Sequence, residues 1–248
     1  LISNGLSIVF NSYTLKDNPD VTIYQRYIIK NHFDYLAEEK IERQRGKRLF
    51  VGNGHNYILN QGLIFNVTLA FFKRSFLMEN NLKFLNYTIA EDFLFFTSVL
   101  LLNPAIISTS YNIYRYIVHE NSITTTRSSK QAQKCVHDYL SVMKNIQQQL
   151  SNINDKAQSI YNIYTKAMNL NSFYIYKKIL IANYSTSTYT SIINEFKKAK
   201  LLPIIHTGTN LKCIIGYSII NILTYIPILY KPTSFIYNRI LAKYILKL

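Results

Sequence analysis

The sequence predicts an α/β domain followed by a mainly α-helical region, and three observations predict it. Up to residue 130, β-branched and aromatic runs alternate with apolar helical stretches. From Gln131 onward, Ala132, Cys135, Val136, Tyr139, Met143 and Leu150 recur at helical spacing, the stripe of an amphipathic helix. After Glu195 there is no acidic residue, while eight Lys and Arg follow. The organisation expected is therefore an α/β domain over residues 1–130, a helical extension over 131–211 and a basic tail over 212–248.

The composition narrows the function classes. The chain has 28 Lys+Arg against 13 Asp+Glu, a net charge of +15. Such a surface suits anionic partners: nucleotide-sugar phosphates, acidic lipid or nucleic acid. Nucleic acid is excluded as the partner. No helix-turn-helix, zinc or RNA-binding motif is present, and the 21 tyrosines sit with Ile and Leu rather than with Arg or Lys. Two cysteines, Cys135 and Cys213, are too few for a disulfide framework.

Taken in order, residues 5–13 read as a strand and Asp17-Asn18-Pro19-Asp20 as a turn. Residues 21–45 carry helical spacing, with Ile28, Tyr35 and Leu36 on one side and a basic cluster from Arg43 to Arg48 at the end. Gly52-Asn53-Gly54-His55 is a flexible turn. Residues 64–78 form an apolar helix with Lys73 and Arg74 emerging at its end. Residues 80–81 turn the chain into its central stretch.

That stretch opens with an adjacent acidic pair, Glu91-Asp92, followed by the apolar run FLFFTSVLLLN. The run reads as a buried helix stopped by Asn103-Pro104, because the residue before proline is pushed out of the helical region. The pair then lies at the helix N-terminus, where free N–H groups and the dipole favour negative charge. Two roles fit: a cap, or a carboxylate held at the edge of a cleft as a base. Residues 105–110 and 112–118 read as two strands, and His119 follows them. Helices are expected over 131–150, around Ile160 to Met168, and from Thr190 to Leu202, where Pro203 stops the last. His55 reads as a loop histidine and His137, near the stripe of the first of these helices, as structural, while His206 gives no reading.

The tail holds an uncharged run from Cys213 to Tyr230, interrupted by Pro227. As a helix it reaches about 27 Å, against a hydrocarbon core of roughly 30 Å. Arg239, Lys243 and Lys247 then repeat every four residues, opposite Leu241, Tyr244 and Leu248. That is the pattern of a basic helix lying on an anionic membrane face.

Four pieces in order carry a resemblance: Phe72-Lys73-Arg74, Ala90-Glu91-Asp92, the tyrosine-rich strand around Arg115, and the turn His119 to Ile123. Together they resemble the C-terminal half of the catalytic domain of family 2 glycosyltransferases, GT-A fold enzymes of bacterial surface polysaccharide synthesis. The resemblance covers roughly residues 1–130. It implies transfer of a sugar from a nucleotide-diphosphate donor to a glycan or lipid-linked acceptor, with inversion. It implies Asp92 as the base and Glu91 as its orienting neighbour. Arg115, His119 and Arg127 become candidates for the donor diphosphate, His119 also for a metal. Gly54 or Gly62 would shape an acceptor-side loop. The family's nucleotide-holding turn and its metal-holding Asp-x-Asp have no counterpart here. The chain is therefore expected to be a fragment without the donor-binding half, inactive alone. A divalent Mn or Mg would belong to the full enzyme, at the cytoplasmic face of the inner membrane. The alternative is a non-catalytic, membrane-associated scaffold.

Overall fold

The computed structural model describes residues 19–29, 48–117, 128–152, 158–205 and 211–239, without the side chains of 24–29, 48–49, 110–117 and 211–213. The chain divides into two compact units, Leu1–Asn86 with Glu91–Ser122, and Tyr87–Ala90 with Ile123–Leu248.

The first unit is built on a mixed four-stranded sheet in the order β2-β4-β1-β3. Its strands are β1 (Val21–Ile29), β2 (Arg48–Asn53), β3 (Ala70–Phe72) and β4 (Ala105–Ile117). β1 and β4 run parallel, with Val21 opposite Ile106. β2 on β4 and β3 on β1 are antiparallel. Asp20 ties three strands together, at the starts of β1 and β4 and the end of β3. Its N–H donates to the Ala105 carbonyl, its carboxylate accepts from the Ala105 N–H, and its carbonyl accepts from the Lys73 N–H, each at 2.9 Å. The turn expected there is thus a strand junction.

Three expectations for this unit are corrected. Val21–Ile29 is a strand, not the start of a helix over 21–45. The run VTIYQRYII is β-branched and aromatic, and ladder partners on both sides outweigh the helical spacing of Ile28, Tyr35 and Leu36. The apolar helix expected over 64–78 is a 3-10 turn (Val67–Leu69), then β3, then α2 (Arg74–Glu79). Pairing of Phe72 with Val21 takes the middle of that stretch into the sheet. The two strands expected after Pro104 are one continuous strand, with register shifts between Ile23 and Arg26 of β1 marking the irregularity near the middle of β4. The strand expected over 5–13 lies outside the described residues, as does most of the Arg43 to Arg48 cluster.

Helix α1 (Gly54–Gln61) stands where a flexible turn was expected, and α3 spans Glu91–Leu101. In α3, Phe93 to Thr97, Val99 and Leu100 are buried. Phe, Thr and Val each cost up to about 0.7 kcal/mol against alanine in a helix. Full burial of Phe96 or Leu100 returns about 1.5–3 kcal/mol each, so packing decides the conformation. The buried Thr97 hydroxyl is satisfied by the Phe93 carbonyl at 2.7 Å. Phe72 stands edge-on to Phe95 at 5.3 Å and tilted against Phe96 at 5.4 Å, which fixes α3 to β3.

The second unit is helical: α4 (Ser129–Ser151), α5 (Gln158–Ala182), α6 (Thr186–Lys198), α7 (Leu211–Tyr225) and α8 (Tyr230–Arg239). The expected stripe of α4 is its buried face, from Ala132 to Leu150. α6 begins earlier than Thr190 because Ser185 caps it, accepting from the Thr188 N–H at 3.1 Å. It ends before Pro203, where Lys200 adopts φ 56. Two asparagines then hold the chain after it. Asn169 accepts from the Ile205 N–H at 2.7 Å and donates to the Pro203 carbonyl at 2.8 Å. Asn221 makes a reciprocal pair with the backbone of Ile204, at 2.8 and 3.0 Å.

Several tyrosines close the core of this unit. Tyr189 stacks on Tyr230 at 3.9 Å, shares a hydroxyl bond with Tyr176 and donates to the Leu223 carbonyl at 2.9 Å. Burial pushes the Tyr189 phenol up to about 12, so it stays neutral and hydrogen-bonded. The segment Tyr87–Ala90 belongs here too. The Thr88 N–H donates to Asp138 at 2.7 Å, and Lys134 reaches the same oxygen at 2.6 Å. Partial burial works to raise the Asp138 carboxyl, but the bonds from Lys134 and Thr88 outweigh it and hold it below the usual range.

Candidate active site

The acidic pair forms the first two residues of α3. Both carboxylates are half-buried, at the rim of an otherwise apolar helix. Asp92 does not turn its carboxylate onto its own helix alone. Its Oδ2 accepts from the Val67 N–H at 3.3 Å. That N–H is presented by a local turn. The Asn66 side chain accepts from the Thr68 N–H at 2.9 Å and its carbonyl accepts from the Leu69 N–H at 3.3 Å, which leaves the Val67 N–H facing outward. Just before the turn, Phe65 packs its ring on Phe93 at 4.5 Å and remains 43% exposed.

Burial pushes the Asp92 carboxyl above the ordinary aspartate range, and the Val67 hydrogen bond opposes this only in part. A carboxylate that serves only as a cap, solvated and bonded by backbone donors, would shift downward. The Asp92 carboxyl therefore holds its proton more readily than a free aspartate.

The approach to the pair is strained. Ala90, immediately before Glu91, adopts φ 61. The left-handed region costs a non-glycine residue roughly 1 kcal/mol, and glycine nothing. Ala90→Gly is expected to stabilise the protein by about 0.5 kcal/mol, the relief of strain exceeding the extra freedom of the unfolded chain. A denaturant midpoint shifted downward instead would show that the Ala90 methyl has a packing role.

The other predicted residues distribute as follows. Gly54 is buried at the N-terminus of α1, against the far end of α3. A Cβ there would lie 2.5 Å from the Leu100 carbonyl oxygen and 2.8 Å from Pro104 Cδ. His55 shares this junction: its N–H donates to the Asn103 side chain at 2.9 Å, and its ring Nε2 lies 3.4 Å from the Leu101 carbonyl. An α-helix rises 1.5 Å per residue, so the length of α3 puts about 15 Å between this junction and the acidic pair. Gly62 ends α1 at φ 86, and its N–H donates to the Ile58 carbonyl at 3.1 Å. From it the chain turns back toward Phe65 and Val67, on the Asp92 side. Lys73 and Arg74 are exposed at the start of α2. Arg115 lies in β4, its side chain outside the described residues, and His119 and Arg127 lie outside them altogether. The structure therefore brings Asp92 and Glu91 together with Val67 and Phe65, and not with Gly54. Sequence reasoning missed Val67 and Phe65. The one signal was Asn66, a turn-former inside an apolar run.

Among the described residues, no three His, Cys, Asp or Glu side chains converge. No known protein-family model matches the chain, and no characterised protein matches it either.

Proposed function

We propose that the corner formed by Asp92, Glu91 and the Val67 turn is the acceptor edge of a GT-A-type glycosyl transfer site. The observation that supports this reading is the half-buried Asp92 carboxylate, raised in proton affinity at the mouth of an apolar helix. In the proposed step the acceptor hydroxyl oxygen bonds to the anomeric carbon of the donor sugar. The bond from that carbon to the diphosphate oxygen breaks, and its electron pair leaves with the diphosphate. The hydroxyl proton passes to Asp92, and Glu91 orients the acceptor or the loop. The nucleotide-diphosphate sugar is held by a donor-binding half, supplied together with its Mn or Mg.

A pH profile tests the reading. The base must be ionised, so transfer falls as pH drops through the Asp92 pKa. Because burial raises that pKa, the acidic limb is expected above about 3.9, the value of a free aspartate. The limb should vanish in Asp92→Asn along with the activity. A profile with the same limb in wild type and variant assigns the ionisation to another group. No transfer under any condition, in a protein complete with its donor half, would favour the non-catalytic scaffold.

A further inference from the structure

One face of α7 is bare. Ile215, Ile219, Ile222 and Ile226 are 46% to 52% exposed at a helical repeat, while Ile220, Leu223 and Thr224 on the opposite face are buried. The apolar surface continues round the corner after α7, where Ile228 is 76% exposed, and on to Phe235 and Ile236 of α8. The helix pair Ile214–Tyr225 and Pro227–Arg239 bends by 114°, so Ile228 stands at an outward edge. Among the described residues, no single helix is long and apolar enough to cross a membrane.

Cations border this surface. Lys197 lies over the exposed Tyr225 ring at 4.8 Å, and Arg239 over Phe235 at 5.3 Å. An open cleft of about 710 Å³ along α8 is lined by Lys231, Arg239 and the amides of Asn183 and Asn238, with Phe235 and Ile236 in its wall. Lys231 spends one donor on Asn183 at 3.1 Å and has two more. α8 is held from its other side, Tyr230 donating to the Ile179 carbonyl and Ser234 to that of Leu180, which leaves Phe235 and Ile236 exposed on its outer side.

We propose that this corner docks the helical unit on an anionic phospholipid surface. The α7 face and Ile228 enter the headgroup and acyl boundary, and Lys231 and Arg239 take lipid phosphates in the α8 cleft. Charge complementarity selects this occupant. No acidic residue lies between Phe196 and Leu248, so a second copy would set one basic rim against another. An acidic bilayer neutralises it and also covers the isoleucines.

The test is flotation of the full chain with phosphatidylcholine vesicles, with and without phosphatidylglycerol. Wild type should float only with the anionic vesicles. Ile228→Asp, at a site exposed enough to leave the fold intact, should weaken binding about tenfold. The double variant Lys231→Glu with Arg239→Glu should weaken it as much or more. Melting curves matching wild type confirm that both variants fold. Binding unchanged in the variants would place the attachment elsewhere and overturn the proposal. So would equal floating with neutral vesicles, or no floating at all. A wild-type dimer in solution that Ile228→Asp dissociates would assign the face to a second copy and overturn it too.

Discussion

With the donor-binding half supplied, Asp92→Asn is expected to lose about 10² to 10⁴ in transfer rate while the fold stays intact. The amide has the carboxylate's size, and its oxygen still accepts from the Val67 N–H. It cannot take a proton from an acceptor hydroxyl. Stability should change little. Asparagine forgoes the favourable charge at the helix N-terminus, about 0.3–1 kcal/mol, but also avoids placing an ionised group where burial disfavours it. Turnover, donor affinity and melting temperature on one preparation separate the roles. A cap predicts a lowered melting temperature with near-normal turnover, and a base predicts the reverse. Glu91→Gln should be the milder of the two changes.

Gly54→Ala is expected to give the largest loss of stability, about 2–3 kcal/mol. The new methyl meets the Leu100 carbonyl oxygen and Pro104 rather than the end of a flexible side chain, so neither can swing away. Relief requires α1 to move off α3, which stretches the bond from the Gly54 N–H to the Pro104 carbonyl, now 2.9 Å. Thermal and urea unfolding measure the effect. If Gly54 instead shapes an acceptor loop, the variant melts normally and changes only acceptor affinity.

α4, the start of α5 and α6 were legible because each carries its own signal, whereas the run of α5 past Met168 and the start of α8 at Tyr230 were not. The stripe from Ala132 to Leu150 in α4 needs no distant information, since a 3.6-residue period and a buried face are the same fact. The buried α3 and its stop at Asn103-Pro104 were legible for the same reason. The first unit was less so. Val21–Ile29 is a strand because β3 and β4 lie on either side of it, and β4 begins more than 80 residues away. Gly54 looked like part of a flexible turn because a glycine needed for close packing and one needed for a turn are the same letter. What distinguishes them is Leu100, brought near only by the fold. The candidate site divides in the same way. The acidic pair was visible as two rare charges before an apolar run. Its hydrogen-bond donor was not, because any residue at position 67 offers the same backbone N–H.

The proton affinity of Asp92 separates a base from a cap most directly. Carbon-13 labelling of aspartate, with Asp92→Asn to assign the signal, lets its carboxyl be titrated directly in the chain. A half-buried base gives a midpoint above that of a free aspartate, with the other aspartate signals unmoved by the substitution. A midpoint at or below the free value would identify a solvated capping carboxylate and contradict the assignment of Asp92 as a base.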